Sequence, residues 1–335
     1  MVKEVVEIAA ALLGAVYVFG FIRFWRNEAR NLVKESGYAP PIPRLWAILL
    51  GALVTRLVSG LLIGKIRIVG GEKAKQEEKK WLYVAVFNHQ IPIDAVVASK
   101  LAKHRRWRFM VAMEEVRRPF LAPLYAIVGA IPVIRRNSEA AKDTDSPTRA
   151  AAAAVLGAVN ALKSDREAGP KEKGVYATIA LTVLSAMLIW LQLWWIAAPV
   201  AIFASLRLLD LFSKRPTHFA IFPQGKLVPK DELKVEDFHP GPVKIARRVA
   251  KATGLPVALL AGHIAYDKDR AHASLGTRFL EAVHFPRLLF GYGPVYGATL
   301  TLSDPIPVDS LSTRDDEAAR QIYEHILRLK NSSQG

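Results

Sequence analysis

The sequence predicts an α/β fold: a mixed sheet flanked by helices, with an N-terminal membrane-associated helical hairpin and an apolar helical insert. Two observations carry this. Short apolar runs rich in β-branched and aromatic residues, among them Trp81–Phe87, His218–Phe222 and Leu255–Leu260, alternate with longer stretches of helical spacing. Three other stretches, 5–25, 45–64 and 175–212, are too long and too apolar to be solvated helices. The first pattern places a catalytic-type domain at 65–335. The second places a hairpin at 1–64 and an insert at 175–212.

Bulk chemistry narrows the partners. The 335 residues carry a net charge of +16, yet 51% are hydrophobic. Mean hydropathy is +0.18 and the isoelectric point lies near 10.0. A basic and apolar chain suits either nucleic acid or a membrane surface. Nucleic-acid binders set their charge among polar and aromatic residues. Here the charge flanks long apolar segments, so the expected partner is membrane lipid and not nucleic acid. There are 0 Cys, which excludes disulfides, thiolate chemistry and cysteine-based zinc sites and fits a reducing cytoplasm.

The run Val5 to Trp25 holds only Glu7 and Arg23 as charges. No cleavage site follows; Arg23, Arg26 and Arg30 come instead, so a signal peptide is not the reading. The turn Gly37–Arg44 leads to the run Leu45–Gly64, interrupted by Arg56. Phe21, Phe24, Trp25 and Trp46 near the hairpin ends resemble interface anchors. At about 20 residues the first run is long enough to span a bilayer. A hairpin lying in one leaflet is preferred, and two spans are the alternative. The flanking arginines and Lys65 place the working side toward the cytoplasm.

Lys65–Val69 alternates as a strand and meets Gly70-Gly71. Glu72–Lys80 is a charged loop or short helix. Trp81–Phe87 is a buried strand, Ala95–Lys103 a helix, and Phe109–Met113 a second core strand. The run Lys103–Arg108 between them is either a solvated face or a lipid-headgroup contact. Phe120–Val128 is a helix ended by Gly129. Ala130–Ile134 is a strand ending in Arg135 and Arg136, whose guanidinium forks suit phosphate or a surface ion pair. Pro147–Lys163 is a helix. Val175–Ile196 is about 22 residues without a charge, roughly bilayer length; the insert it opens is a membrane element or a buried hairpin. After His218–Phe222, the turn Pro223-Gln224-Gly225-Lys226 exposes main-chain N–H groups to a ligand. Val243–Thr253 is a helix capped by Gly254, and Pro256 opens the next strand. Strands are expected around Ala282–Phe290 and Gly297–Leu302, and Asp316–Lys330 is an amphipathic helix.

One junction stands out. His89 follows the strand Trp81–Phe87, and Asp94 opens the helix after it. Ligands of open α/β sheets bind at the carboxyl ends of strands. An imidazole oriented by a carboxylate is a general base for a hydroxyl. Taken alone, the pair is equally a structural histidine beside a helix cap.

The order decides the reading. His89-x4-Asp94, then Ile134-Arg135-Arg136, then Phe222-Pro223-Gln224-Gly225, then Leu255-Pro256-Val257 resembles the glycerolipid acyltransferase superfamily over roughly 65–310, outside the insert. The nearest group is the bacterial 1-acylglycerol-3-phosphate acyltransferases. The resemblance implies His89 as general base and Asp94 as its orienting carboxylate. It implies Arg135 or Arg136 on the acceptor phosphate, with Pro223, Gln224, Gly225 and Lys226 against the acceptor or the oxyanion. Pro256 would shape the wall of the site. Acyl-CoA or acyl-carrier protein is the implied co-substrate, and no metal or bound cofactor is implied. Two positions depart from the family: Gln224 stands for the usual Glu, and Lys226 for the usual Thr. They put 1-acylglycerol-3-phosphate itself in question and point to a more anionic or differently hydroxylated acceptor. A non-catalytic lipid-binding protein with this fold is the alternative of another class.

Overall fold

The computed structural model describes residues 22–34, 59–91, 94–104, 106–117, 129–134, 147–167, 217–224, 232–267, 275–282 and 295–333, with scattered positions between them. Most of the expected hairpin and insert lies outside the described residues. So do Arg135, Arg136, Gly225 and Lys226.

Eight strands form the sheet: β1 (Lys65–Gly70), β2 (Leu82–Phe87), β3 (Arg106–Ala112), β4 (Ile131–Val133), β5 (Thr217–Ile221), β6 (Val257–Asp267), β7 (Gly297–Leu302) and β8 (Ile306–Pro307). Their order is β1-β7-β6-β2-β5-β3-β4, and β8 also pairs with β6. β6 is parallel to β2 and antiparallel to β7. Hence the sheet is mixed, as expected, and the carboxyl ends of β2 through β6 share one rim.

Strand alternation divides the core. Leu82, Val84 and Val86 of β2 face one cluster; Tyr83, Ala85 and Phe87 face another. The first is covered by α4 (Pro147–Glu167), α5 (Gly241–Thr253) and α7 (Asp315–Ser332), through Leu162, Val249 and Ile322. The second is covered by α1 (Glu72–Gln76) and α2 (Asp94–Ala98), through Ala74 and Val97. A strand with both faces covered must be apolar throughout, and every residue of β2 is buried. Two further short helices are α3 (Met113–Val116) and α6 (Leu275–Ala282). Gly70 turns the chain from β1 into α1 at φ 76. A Cβ there would lie 2.5 Å from the Leu302 carbonyl oxygen, so only glycine fits.

Three expectations change. β3 begins at Arg106, ahead of the expected Phe109, and so takes in half of the basic run. Arg108 is fully buried, and its guanidinium donates to the Gly129 carbonyl at 3.1 Å; it does not touch lipid. A guanidinium this deeply buried must find its partner inside. β6 runs on to Asp267, well past Leu260. α6 covers Leu275–Ala282 and ends where the strand around Ala282–Phe290 was to begin. Residues 283–294 lie outside the described residues. Finally, Trp25 is buried at 5% exposure and clusters with Leu32, Val116 and Ala126, so it packs on protein and not at a membrane interface. Phe19, Ile22 and Phe24 on the same segment are exposed. Among the described residues no helix is long and apolar enough to cross a membrane.

Candidate active site

β2 ends at Phe87, and the chain turns through Asn88 and His89 into α2. Asn88 ties that turn to β6 with both ends of its amide. Its Nδ2 donates to the Ile264 carbonyl at 3.0 Å, and its Oδ1 accepts from the Ile264 N–H at 2.7 Å. Gln90 Nε2 donates to the same carbonyl. The His89 side chain, 17% exposed, therefore stands on a braced turn.

Its Nδ1 lies 2.9 Å from Oδ2 of Asp94, which is fully buried. The same oxygen accepts the main-chain N–H groups of Gln90 at 2.5 Å and Ile91 at 3.0 Å. A carboxylate can only accept, so Nδ1 carries the proton and the Nε2 lone pair is the basic one. The sequence placed Asp94 in the first turn of its helix, and it begins α2. Oδ1 of Asp94 accepts the Tyr266 hydroxyl at 2.5 Å.

The neighbouring strand supplies the rest. Phe222, just past β5, stacks on the imidazole with ring centroids 4.5 Å apart. Gln224 is 2% exposed, and its Oε1 accepts the main-chain N–H of His89 at 2.6 Å. Its Nε2 is buried and meets no acceptor among the described residues. The Val228 N–H closes back on the His89 carbonyl at 2.7 Å. Pro223 is buried beside Gln224, and its carbonyl accepts from His239.

The structure thus brings His89, Asp94, Pro223 and Gln224 together. It does not bring Pro256 to them. Its carbonyl accepts from Leu82, at the start of β2, and Leu82 pairs with Val257 while Phe87 pairs with Gly262. Pro256 is exposed at the far end of the sheet, about six residues or roughly 20 Å from the rim that carries His89. Phe222 and Tyr266 were not foreseen as site residues. Phe222 had a signal, its place in the strand-end motif. Tyr266 had none, since the expected strand stopped six residues short of it.

The segment that holds the dyad also matches known proteins. Residues 65–158 match the family model described as Acyltransferase. The chain resembles the glycerolipid acyltransferases. No curated protein matches it. Among solved structures it is similar to the crystal structure of the 1-acyl-sn-glycerophosphate (LPA) acyltransferase, PlsC, from Thermotoga maritima. That likeness has 13% sequence identity and a TM-score of 0.41, over 97% of this chain and 94% of the other.

Proposed function

We propose that the protein is a membrane-bound O-acyltransferase. It moves a fatty acyl group from acyl-CoA or acyl-carrier protein to a hydroxyl of a lysophospholipid of the 1-acylglycerol-3-phosphate type. One observation carries this: a partly exposed His89 held by a fully buried Asp94, inside the acyltransferase-matching segment. Nε2 of His89 takes the proton of the acceptor hydroxyl, and the oxygen attacks the thioester carbonyl. The carbon–sulfur bond then breaks, and the thiolate recovers the proton from the imidazolium. Asp94 stabilises that imidazolium, in the manner of a triad without its serine. Arg135 or Arg136 holds the acceptor's phosphate, and the turn Pro223-Gln224-Gly225-Lys226 serves the acceptor or the developing oxyanion. The runs 5–25, 45–64 and 175–212 attach the enzyme to the cytoplasmic side of the membrane.

Gln224 favours a second acceptor. An amide offers a donor where a carboxylate offers only acceptors, which suits a glycolipid or another hydroxylated lipid. A non-catalytic lipid-binding protein has no physical need for a dyad this well braced. The test measures thiol release from acyl-CoA and from acyl-carrier protein, with lysolipids and glycolipids as acceptors and mass spectrometry of the products. The expected product is an acylated lysophospholipid, and His89→Ala is expected to lower turnover by about a hundredfold or more. Thiol release that no acceptor stimulates, or that survives His89→Ala, overturns the proposal.

A further inference from the structure

β6 is longer than its pairing with β2 requires. Phe87, the last residue of β2, lies opposite Gly262, and β6 continues to Asp267 against β7. The five residues past Gly262 overhang the rim where His89 emerges. Side chains alternate along a strand, so Ile264 and Tyr266 share the face toward α2, and His263 and Asp267 lie on the other. The overhang places the Tyr266 hydroxyl 2.5 Å from Asp94 Oδ1. Oδ2, the other oxygen, is occupied by His89 and the N–H groups of Gln90 and Ile91.

We propose that Tyr266 is a positioning residue for the acyl transfer proposed above. Its hydroxyl fixes Asp94 Oδ1, so that Oδ2 stays in line with His89 Nδ1. A carboxylate held at one oxygen alone can turn about its Cβ–Cγ bond, whereas one held at both cannot. The phenol also takes part of the negative charge that the imidazolium would otherwise meet in full. Burial first, and then the charge of Asp94 and the hydrogen bond to it, push the phenol well above its ordinary value of 10.0. The group therefore stays a donor at any working pH. Phenylalanine at 266 would keep the ring packing and lose only the O–H. The inference rests on the proposed reaction for its effect on rate, but the contact itself does not.

The test compares the full-length protein in detergent with its Tyr266→Phe variant. The expected kcat is about ten- to a hundredfold lower, the range for losing a hydrogen bond to a charged group. Both KM values should stay within about twofold, because Tyr266 touches Asp94 and not substrate. A second readout needs no turnover: the proton NMR resonance of the His89 Nδ1–H, whose downfield position reports the hydrogen bond to Asp94 Oδ2. With the phenol gone Asp94 can turn, so that hydrogen bond should weaken and the resonance should move upfield or exchange away. A preserved kcat, a rise in KM alone, or an unmoved Nδ1–H resonance overturns the proposal. If the wild-type chain transfers no acyl group, the proposed reaction fails, and the resonance still decides whether Tyr266 acts on the dyad.

Discussion

The main-chain N–H of His89 donates to the side-chain Oε1 of Gln224 across 2.6 Å. The backbone position of the candidate base is thus set from the neighbouring strand end and not from its own turn alone. Gln224→Leu removes the acceptor and leaves a partly buried N–H unsatisfied. The expected cost is about 1–3 kcal/mol of stability. A displacement of His89 by about 1 Å would also lower turnover by roughly a hundredfold. Thermal unfolding and thiol-release assays on the one variant check both. Full stability with full turnover would show that the contact positions nothing.

Arg108 is the largest fully buried side chain among the described residues. Arg108→Ala leaves a buried cavity where the guanidinium reached Gly129 and strands that carbonyl, at an expected cost of about 3 kcal/mol or more. Arg108→Met, which keeps most of the volume, should lose less. A denaturation series in detergent checks both variants. A surface arginine in a headgroup patch would show neither loss.

Gly262 is packed as tightly as a strand position allows. A Cβ there would lie 2.5 Å from Cδ1 and Cε1 of Phe87 and 3.2 Å from Cδ2 of Leu302. Phe87 is fully buried and immediately precedes Asn88 and His89, so it has no free direction in which to yield. Gly262→Ala should cost about 1–3 kcal/mol through overpacking and lower kcat by shifting the His89 turn. The paired measurement is unfolding midpoint and kcat; a variant as stable and active as wild type would refute the tight fit.

The runs 5–25 and 175–196 are long and nearly uncharged, and Phe19, Ile22 and Phe24 are exposed. Apolar binding resists salt, which screens only charges. The protein is expected to stay with membranes through a high-salt wash and to leave with detergent. Fractionation followed by immunoblotting checks this, and release of intact protein by salt alone would sink hydrophobic attachment.

The dyad was legible because it is local. Four residues and one strand-to-helix junction separate His89 from Asp94, and periodicity sees junctions well. The burial of β2 was legible from its short, wholly apolar run. Arg108 was not: a charge in a basic run looks solvated until the strands on either side of it are known. Tyr266 was still further out of reach, because its role depends on how far β6 outruns β2. Only the register of two strands 175 positions apart sets that length. Pro256 was misplaced. The resemblance put it in the wall of the site, although it opens a strand parallel to β2 and so stands at the rim opposite His89.

The position of β2 between β5 and β6 has a consequence during synthesis. Val84 pairs with Phe219, and Leu82 with Val257. A ribosome adding about 5–20 residues per second therefore releases this wholly apolar strand some ten to thirty seconds before its second neighbour exists. The nascent chain must shelter β2 for that interval, against a chaperone or another apolar surface.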